Sequence, residues 1–175
     1  MDTAFYESYT RKKVKYKALR ARFGSSADIN RDFVCVHCKS YVSAESLISG
    51  VQNRNHCPYC LHSRHMDLRE AGDRLAACKS QMKPLGLTLK QSYKKYATDM
   101  QGELMLVHQC TECGRVSVNR IAADDDTDLI LAVHEKTVEL DEGLKRRLAR
   151  EGIRMLGREE RILVQRKILG LSTVE

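Results

Sequence analysis

The chain has 175 residues, a mass of 20.0 kDa and a formal net charge of +7. No apolar run approaches the roughly 18 residues of a spanning helix, and the first ten residues lack the apolar stretch of a secretory leader, so the sequence reads as a cytoplasmic protein with no membrane partner. With 42% hydrophobic residues and two prolines it is neither collagen-like nor low-complexity, while 30% charged residues, 6% aromatics and no Trp imply a modest core that would gain from a metal or covalent staple.

The charge is unevenly placed: residues 1–30 carry net +4, residues 31–144 net −2 and residues 145–175 net +5. A near-neutral middle between two basic arms points a polyanion toward the arms. The first arm, residues 1–30, contains Arg11, Lys12, Lys13, Lys15, Lys17, Arg20 and Arg22 with Tyr9, Tyr16 and Phe23 interleaved. Such a track can neutralise phosphates and stack on bases. Alternatively Val14, Ala18 and Leu19 form the apolar side of a short helix whose basic face is simply solvated. A loop at Gly24, Ser25 and Ser26 follows.

The middle segment, residues 31–128, holds all seven cysteines, and six of them form Cys-x-x-Cys pairs: Cys35/Cys38, Cys57/Cys60 and Cys110/Cys113, with Cys78 alone. An odd count without an export signal argues for a reducing compartment and for metal rather than disulfides. A Cys-x-x-Cys turn converges two thiolates on one ion, and zinc takes four ligands in a tetrahedron. Cys35 and Cys38, in the hairpin-like run Phe33 to Cys38, precede Cys57 and Cys60 by 18 intervening residues, a zinc-ribbon spacing. These four form the first expected site. Cys78, Cys110 and Cys113 are one ligand short. His65 is the first choice for the fourth, His108 the second, and His62 and His56 are weaker; Cys35/Cys38 could instead join Cys110/Cys113. Cys57-Pro58-Tyr59-Cys60 also spells a redox dithiol, but no apolar strand precedes it and no amphipathic helix follows, as that chemistry requires. A zinc deaminase needs Pro before its cysteine pair, whereas here Pro58 follows Cys57.

Short strands are expected near 33–36, 87–89, 104–108 and 116–119, with an additional helical stretch over 90–102. Asn119-Arg120 and the acids Asp124, Asp125, Asp126 and Asp128 form a polar cluster. Paired carboxylates can hold Mg²⁺, and with His56 and Asn55 an HNH-nuclease-like site is imaginable. The plainer reading has the acids capping the next helix and pairing with Arg74 or Arg120. That helix is expected over 128–140, capped by Asp126 or Thr127. Asp73 and Arg74 are expected to lend hydrogen-bond support to the metal sites, as His56 would if it is not merely buried. The last segment, residues 129–175, places Leu144, Leu148, Ile153, Leu156, Ile162, Leu163, Ile168 and Leu169 at mostly helical spacing among basic residues including Arg146, Arg147 and Arg150. Gly152 and Gly157 should break it into two helices.

At Arg54-Asn55-His56-Cys57-Pro58 the sequence resembles the bacterial RNHCP-domain family, named after that string. The likeness extends through Phe33, Cys35 and Cys38; Cys60, Leu61, Ser63, His65 and Asp67; Gly72-Asp73-Arg74, Cys78, Met82 and Pro84; and His108, Cys110, Cys113, Gly114, Asn119 to Ala122, and Asp124-Asp125. It covers roughly residues 31–128. The resemblance implies a small zinc-binding domain and no established activity, and it leaves out residues 90–102 and both arms.

Taken together, the sequence predicts a small α+β domain of zinc-ribbon or treble-clef type, stapled by two zinc ions, with α-helical basic extensions. The expected function is non-enzymatic binding of structured RNA, in preference to DNA, through the basic arms, on the ribosome for example. A metal-dependent nuclease and a protein–protein adaptor docking through the C-terminal helices are the alternatives.

Overall fold

The computed structural model describes residues 31–90 and 102–170. The N-terminal basic residues Arg11, Lys12, Lys13, Lys15, Lys17, Arg20 and Arg22 lie outside the described residues, as does nearly all of the helical stretch expected over 90–102.

A two-stranded hairpin opens the described chain: β1 (Phe33–Val34) pairs antiparallel with β2 (Tyr41–Val42) around the first cysteine pair. Asp32 clasps it by accepting from the Tyr41 hydroxyl and from the Ala44 amide at 2.8 Å. A single helical turn, α1 (Ser46–Ser49), follows and closes at Gly50. Four further strands, β3 (Ser63–Arg64), β4 (Gln81–Lys90), β5 (Glu103–Cys110) and β6 (Val116–Arg120), form an antiparallel sheet in the order β3-β4-β5-β6. Helix α2 (Thr127–Val138) is capped by Asp126, whose carboxylate accepts from the Leu129 amide at 3.0 Å. Helix α3 (Glu142–Arg150) ends ahead of Gly152, and α4 (Arg161–Leu169) follows a short 3₁₀ turn over Arg158–Glu160.

β4 is far longer than the 87–89 strand that the sequence suggests. Pro84 and Gly86 read as strand breakers, but the register with β5 shifts between them, and this irregularity accommodates a residue without an N–H. Gly86 is required there. A Cβ would stand against the Thr137 hydroxyl of α2 and 2.6 Å from Met155 Cε. Gly86→Ala should therefore lower the denaturation midpoint, by about 1–3 kcal/mol of overpacking. An unchanged midpoint would mean that α2 does not seat on β4.

Strict alternation along β5 puts Leu104, Leu106, His108 and Cys110 on one face and Met105, Val107 and Gln109 on the other. Leu104 and Leu106 join Leu61, Leu87, Ile130 and Val133 in the main core, together with Leu156 and Val164. Val107 packs with Leu85 and with Leu148 of α3 in a second cluster. Helices thus cover both faces, and the core runs straight across residue 128, where the sequence suggests a boundary. Leu156 is also tied to the sheet edge, its amide donating to the Leu87 carbonyl at 2.9 Å. No helix among the described residues is long and apolar enough to cross a membrane.

Candidate metal centres

The three Cys-x-x-Cys pairs are wound into one repeated turn. In each, the first cysteine's carbonyl accepts from the residue after the second cysteine: Lys39 to Cys35 (3.0 Å), Leu61 to Cys57 (2.8 Å) and Gly114 to Cys110 (3.1 Å). The first cysteine's amide in turn donates to Ser40, His62 and Arg115 carbonyls, respectively. The closing residue is left-handed in every case, with φ 65° at Lys39, 56° at Leu61 and 69° at Gly114. Lys79, after the solitary Cys78, adopts the same conformation at φ 53°. A non-glycine residue in this region costs roughly 1–2 kcal/mol, so three of the four turns are held against a local penalty.

These turns bring the ligand types together in two groups, Cys35/Cys38/Cys57/Cys60 and His65/Cys78/Cys110/Cys113, in each of which the four candidate ligand atoms lie within 4.8 Å of one another. Sulfur–sulfur separations are 3.6 Å for Cys35–Cys60, Cys38–Cys57 and Cys78–Cys110, and Cys113 Sγ lies 3.3 Å from His65 Nδ1. Four atoms at zinc's bond lengths in a tetrahedron stand about 3.5–3.8 Å apart, so both groups fit that ion. The thiols are unequally prepared. The Ser40 hydroxyl and amide hold Cys38 down at about 6, and those of Ser80 do the same for Cys78, whereas burial pushes Cys57 up to about 11. Four sulfurs this close cannot all be anionic without a cation between them.

The other histidines are otherwise engaged. His108, the second-choice ligand, is fully buried: Nε2 donates to the Leu61 carbonyl at 2.7 Å, and Nδ1 accepts from Asn119 Nδ2 at 2.9 Å. Burial, with repulsion from His56, lowers its pKa to about 3, so it stays neutral with both nitrogens occupied. His62 stacks on His37 with centroids 3.6 Å apart and planes 5° from parallel, and its Nδ1 donates to the Cys60 carbonyl. Cys60 lies near both rings. A metal sits close to the plane of an imidazole that binds it, and two parallel planes at this separation have no common point, so the stacked pair does not chelate an ion as placed.

The acids after β6 form a buried network that sequence reasoning assigned to other partners. Asp124 and Asp125 pair with Arg54, neither with Arg74 nor with Arg120. Arg54 Nη1 donates to both Asp124 oxygens at 2.7 and 2.8 Å, and Nη2 donates to Asp125 at 3.2 Å. Asp125 also lies 2.8 Å from His56 Nε2 and accepts from the Ala122 amide at 2.7 Å. The Arg54 and Asp125 side chains are 1% and 0% exposed. Any Mg²⁺ at these acids would have to displace Arg54. Arg74 instead pairs with Asp67, and Arg120 with Glu103 on the surface. The signal for Arg54 was the family string itself, in which Arg54 and His56 alternate around Asn55 and so can share a partner.

Asp73 supports the 66–77 loop by accepting from the Leu68, Arg69, Glu70 and Leu75 amides. Burial would raise its pKa, but these four donors together outweigh it and hold the carboxyl well below the usual range. That loop leads from His65 to Cys78, so it spans two members of the second group.

Neither the curated proteins nor the solved structures include a match to this chain. A model of the RNHCP domain matches residues 30–131, more than half of the sequence. That span contains both Cys/His groups, the Arg54 network and the start of α2, and on this evidence the chain belongs to the RNHCP-domain family.

Proposed function

We propose that this is a non-enzymatic zinc-binding protein in which two Zn²⁺ ions, one held by Cys35, Cys38, Cys57 and Cys60 and the other by His65, Cys78, Cys110 and Cys113, staple a scaffold that binds structured RNA through its basic segments. Four protein ligands complete a tetrahedral shell, the arrangement of structural zinc, whose contribution is folding energy. Four thiolates on one divalent ion sum to −2, which disfavours phosphate at the first cluster and favours contact elsewhere.

The observation that carries the RNA reading is α3. Leu148 anchors the helix in the core, while Arg146, Arg147 and Arg150 stay exposed. Arg147 and Arg150 have no ion pair among the described residues, and Arg146 gives only its Nε, to the Glu142 carbonyl. A fixed helix with free guanidinium groups can neutralise phosphates without first breaking surface pairs.

Filter binding to structured RNA at several salt concentrations tests this. The slope of log affinity against log salt should fall by about 2–3 in the triple variant Arg146→Glu/Arg147→Glu/Arg150→Glu, because each lost phosphate contact removes somewhat less than one ion. Salt-independent binding, or a variant that binds like the parent, would overturn the proposal.

A further inference from the structure

A cleft of about 260 Å³ lies on the sheet beside the second Cys/His group, between the 64–71 loop and β6. Register places Met82, Ser117 and Asn119 on the same sheet face as Leu106, His108 and Cys110. One end of that face is filled by the main core. The other end is this cleft.

Its lining has two polar features. Asn55 is 8% exposed, yet its carboxamide has no hydrogen-bond partner among the described residues; only its backbone carbonyl is engaged, by the Ser63 hydroxyl and the Arg64 amide. The carboxamide atoms are reached by solvent from the cleft, whereas His65 Nε2 is the buried side-chain polar atom without a partner among the described residues. A ligand in the cleft would replace water on the Asn55 donor and acceptor, which the protein leaves open. The second feature is cationic. Arg64, Arg69 and Arg115 all line the cleft and are exposed, and none of them has an ion pair among the described residues; Arg64 gives its Nε to the Lys79 carbonyl at 2.9 Å. Of the two acids present, Asp67 is already paired with Arg74, leaving Glu70. Three thiolates and a neutral imidazole on a divalent ion sum to −1, which the arginines more than offset.

From this juxtaposition of a carboxamide that opens into the cleft without a protein partner, apolar lining and guanidinium groups without ion pairs, we propose that the cleft binds a nucleoside monophosphate unit, either free or within a single strand of RNA. The Asn55 amide offers an adjacent donor and acceptor, the pattern that matches a base edge. The half-buried Met66 and Leu68 supply apolar surface against a base, and Arg64 and Arg115 take the phosphate. The volume is ample for more than an inorganic anion. This site does not rest on the basic face of α3, and a mononucleotide titration probes it separately.

The test is calorimetric titration of the zinc-loaded full chain with AMP, GMP, CMP, UMP, inorganic phosphate and short oligoribonucleotides. At least one mononucleotide should bind about tenfold or more tightly than phosphate, and Asn55→Leu and Arg115→Glu should each weaken it about tenfold, the size of one lost polar contact. Zinc content and thermal midpoint provide the folding control. Arg115→Glu, at an exposed position after the Gly114 turn, keeps the test decisive if Asn55→Leu fails to fold. An oligonucleotide that binds more tightly than the mononucleotide and shares its dependence on Arg115 assigns the site to a strand; equal affinity assigns it to the free nucleotide. Absence of nucleotide binding, phosphate binding as tightly as nucleotides, or an Arg115→Glu variant that binds like the parent would overturn the proposal.

Discussion

Removing the metal should unfold the protein. Structural zinc sites in small domains contribute apparent binding free energies of about 10–16 kcal/mol each, whereas a whole domain is stable by only about 5–15 kcal/mol. The hairpin between Cys35 and Cys38 and the 57–60 turn share a small cluster of Cys35, Val42 and Cys57 with Phe33 and Cys60 packed on it. That cluster is too small to hold itself without ligation. Elemental analysis of the purified chain is expected to give about two zinc ions, four ligands serving each. A strong chelator should abolish the strand signal in circular dichroism, and readdition of zinc should restore it. Cys57→Ser, which alters a fully buried member of the first group, should reduce the metal content below that of the parent. A chain that keeps its spectrum and thermal midpoint through complete demetallation would show that the Cys/His groups are not structural sites.

The second large effect concerns Arg54. Truncating one partner of a buried ion pair costs about 3–5 kcal/mol, because the charge left behind stays out of water. Arg54→Met strands Asp125, whose side chain is completely buried, so it should destabilise the chain by about that amount. Asp125→Asn should be less harmful, since Arg54 keeps its two bonds to Asp124 and only Nη2 and His56 then face a neutral amide. Arg120→Met serves as the control. Its pair with Glu103 is 59% and 45% exposed on the two sides, so its loss should cost at most about 1 kcal/mol. Equal midpoints for Arg54→Met and Arg120→Met in denaturant titrations would refute the special role assigned to Arg54.

The metal groups were legible in the sequence because Cys-x-x-Cys spacing is a local property. Counting an unfilled coordination shell showed that Cys78, Cys110 and Cys113 lacked one ligand, and the position of His65 between the first site and Cys78 made it the first choice over His108, His62 and His56. What stayed hidden was long-range or conformational. Arg54 and Asp124 are 70 positions apart, and near Asp124 the sequence offered only closer basic residues as partners. The left-handed turns at Lys39, Leu61 and Lys79 carry no glycine to announce them. Pro84 and Gly86 concealed most of β4, because a bulge that tolerates both looks locally like a break. The periodicity of the C-terminal segment showed that Leu148 and Leu156 had an apolar partner to find, but it could not show that they pack in two clusters, Leu148 with Leu85 and Val107 and Leu156 with Leu87 and Leu106.

The shortness of β3 has a further consequence. Only Leu61, His62, Ser63 and Arg64 separate Cys60, in one group, from His65, in the other. Of these four, Leu61 and Ser63 are buried, and Ser63 and Arg64 are held by their pairing with Met82 and Gln81. An ion at either end therefore fixes the strand that presents a ligand to the other. Loading should be cooperative, and a titration with zinc followed by native mass spectrometry should pass from empty to doubly occupied chains with little of the singly occupied species between. A statistical one-ion intermediate at half saturation would mean that the two ends load independently.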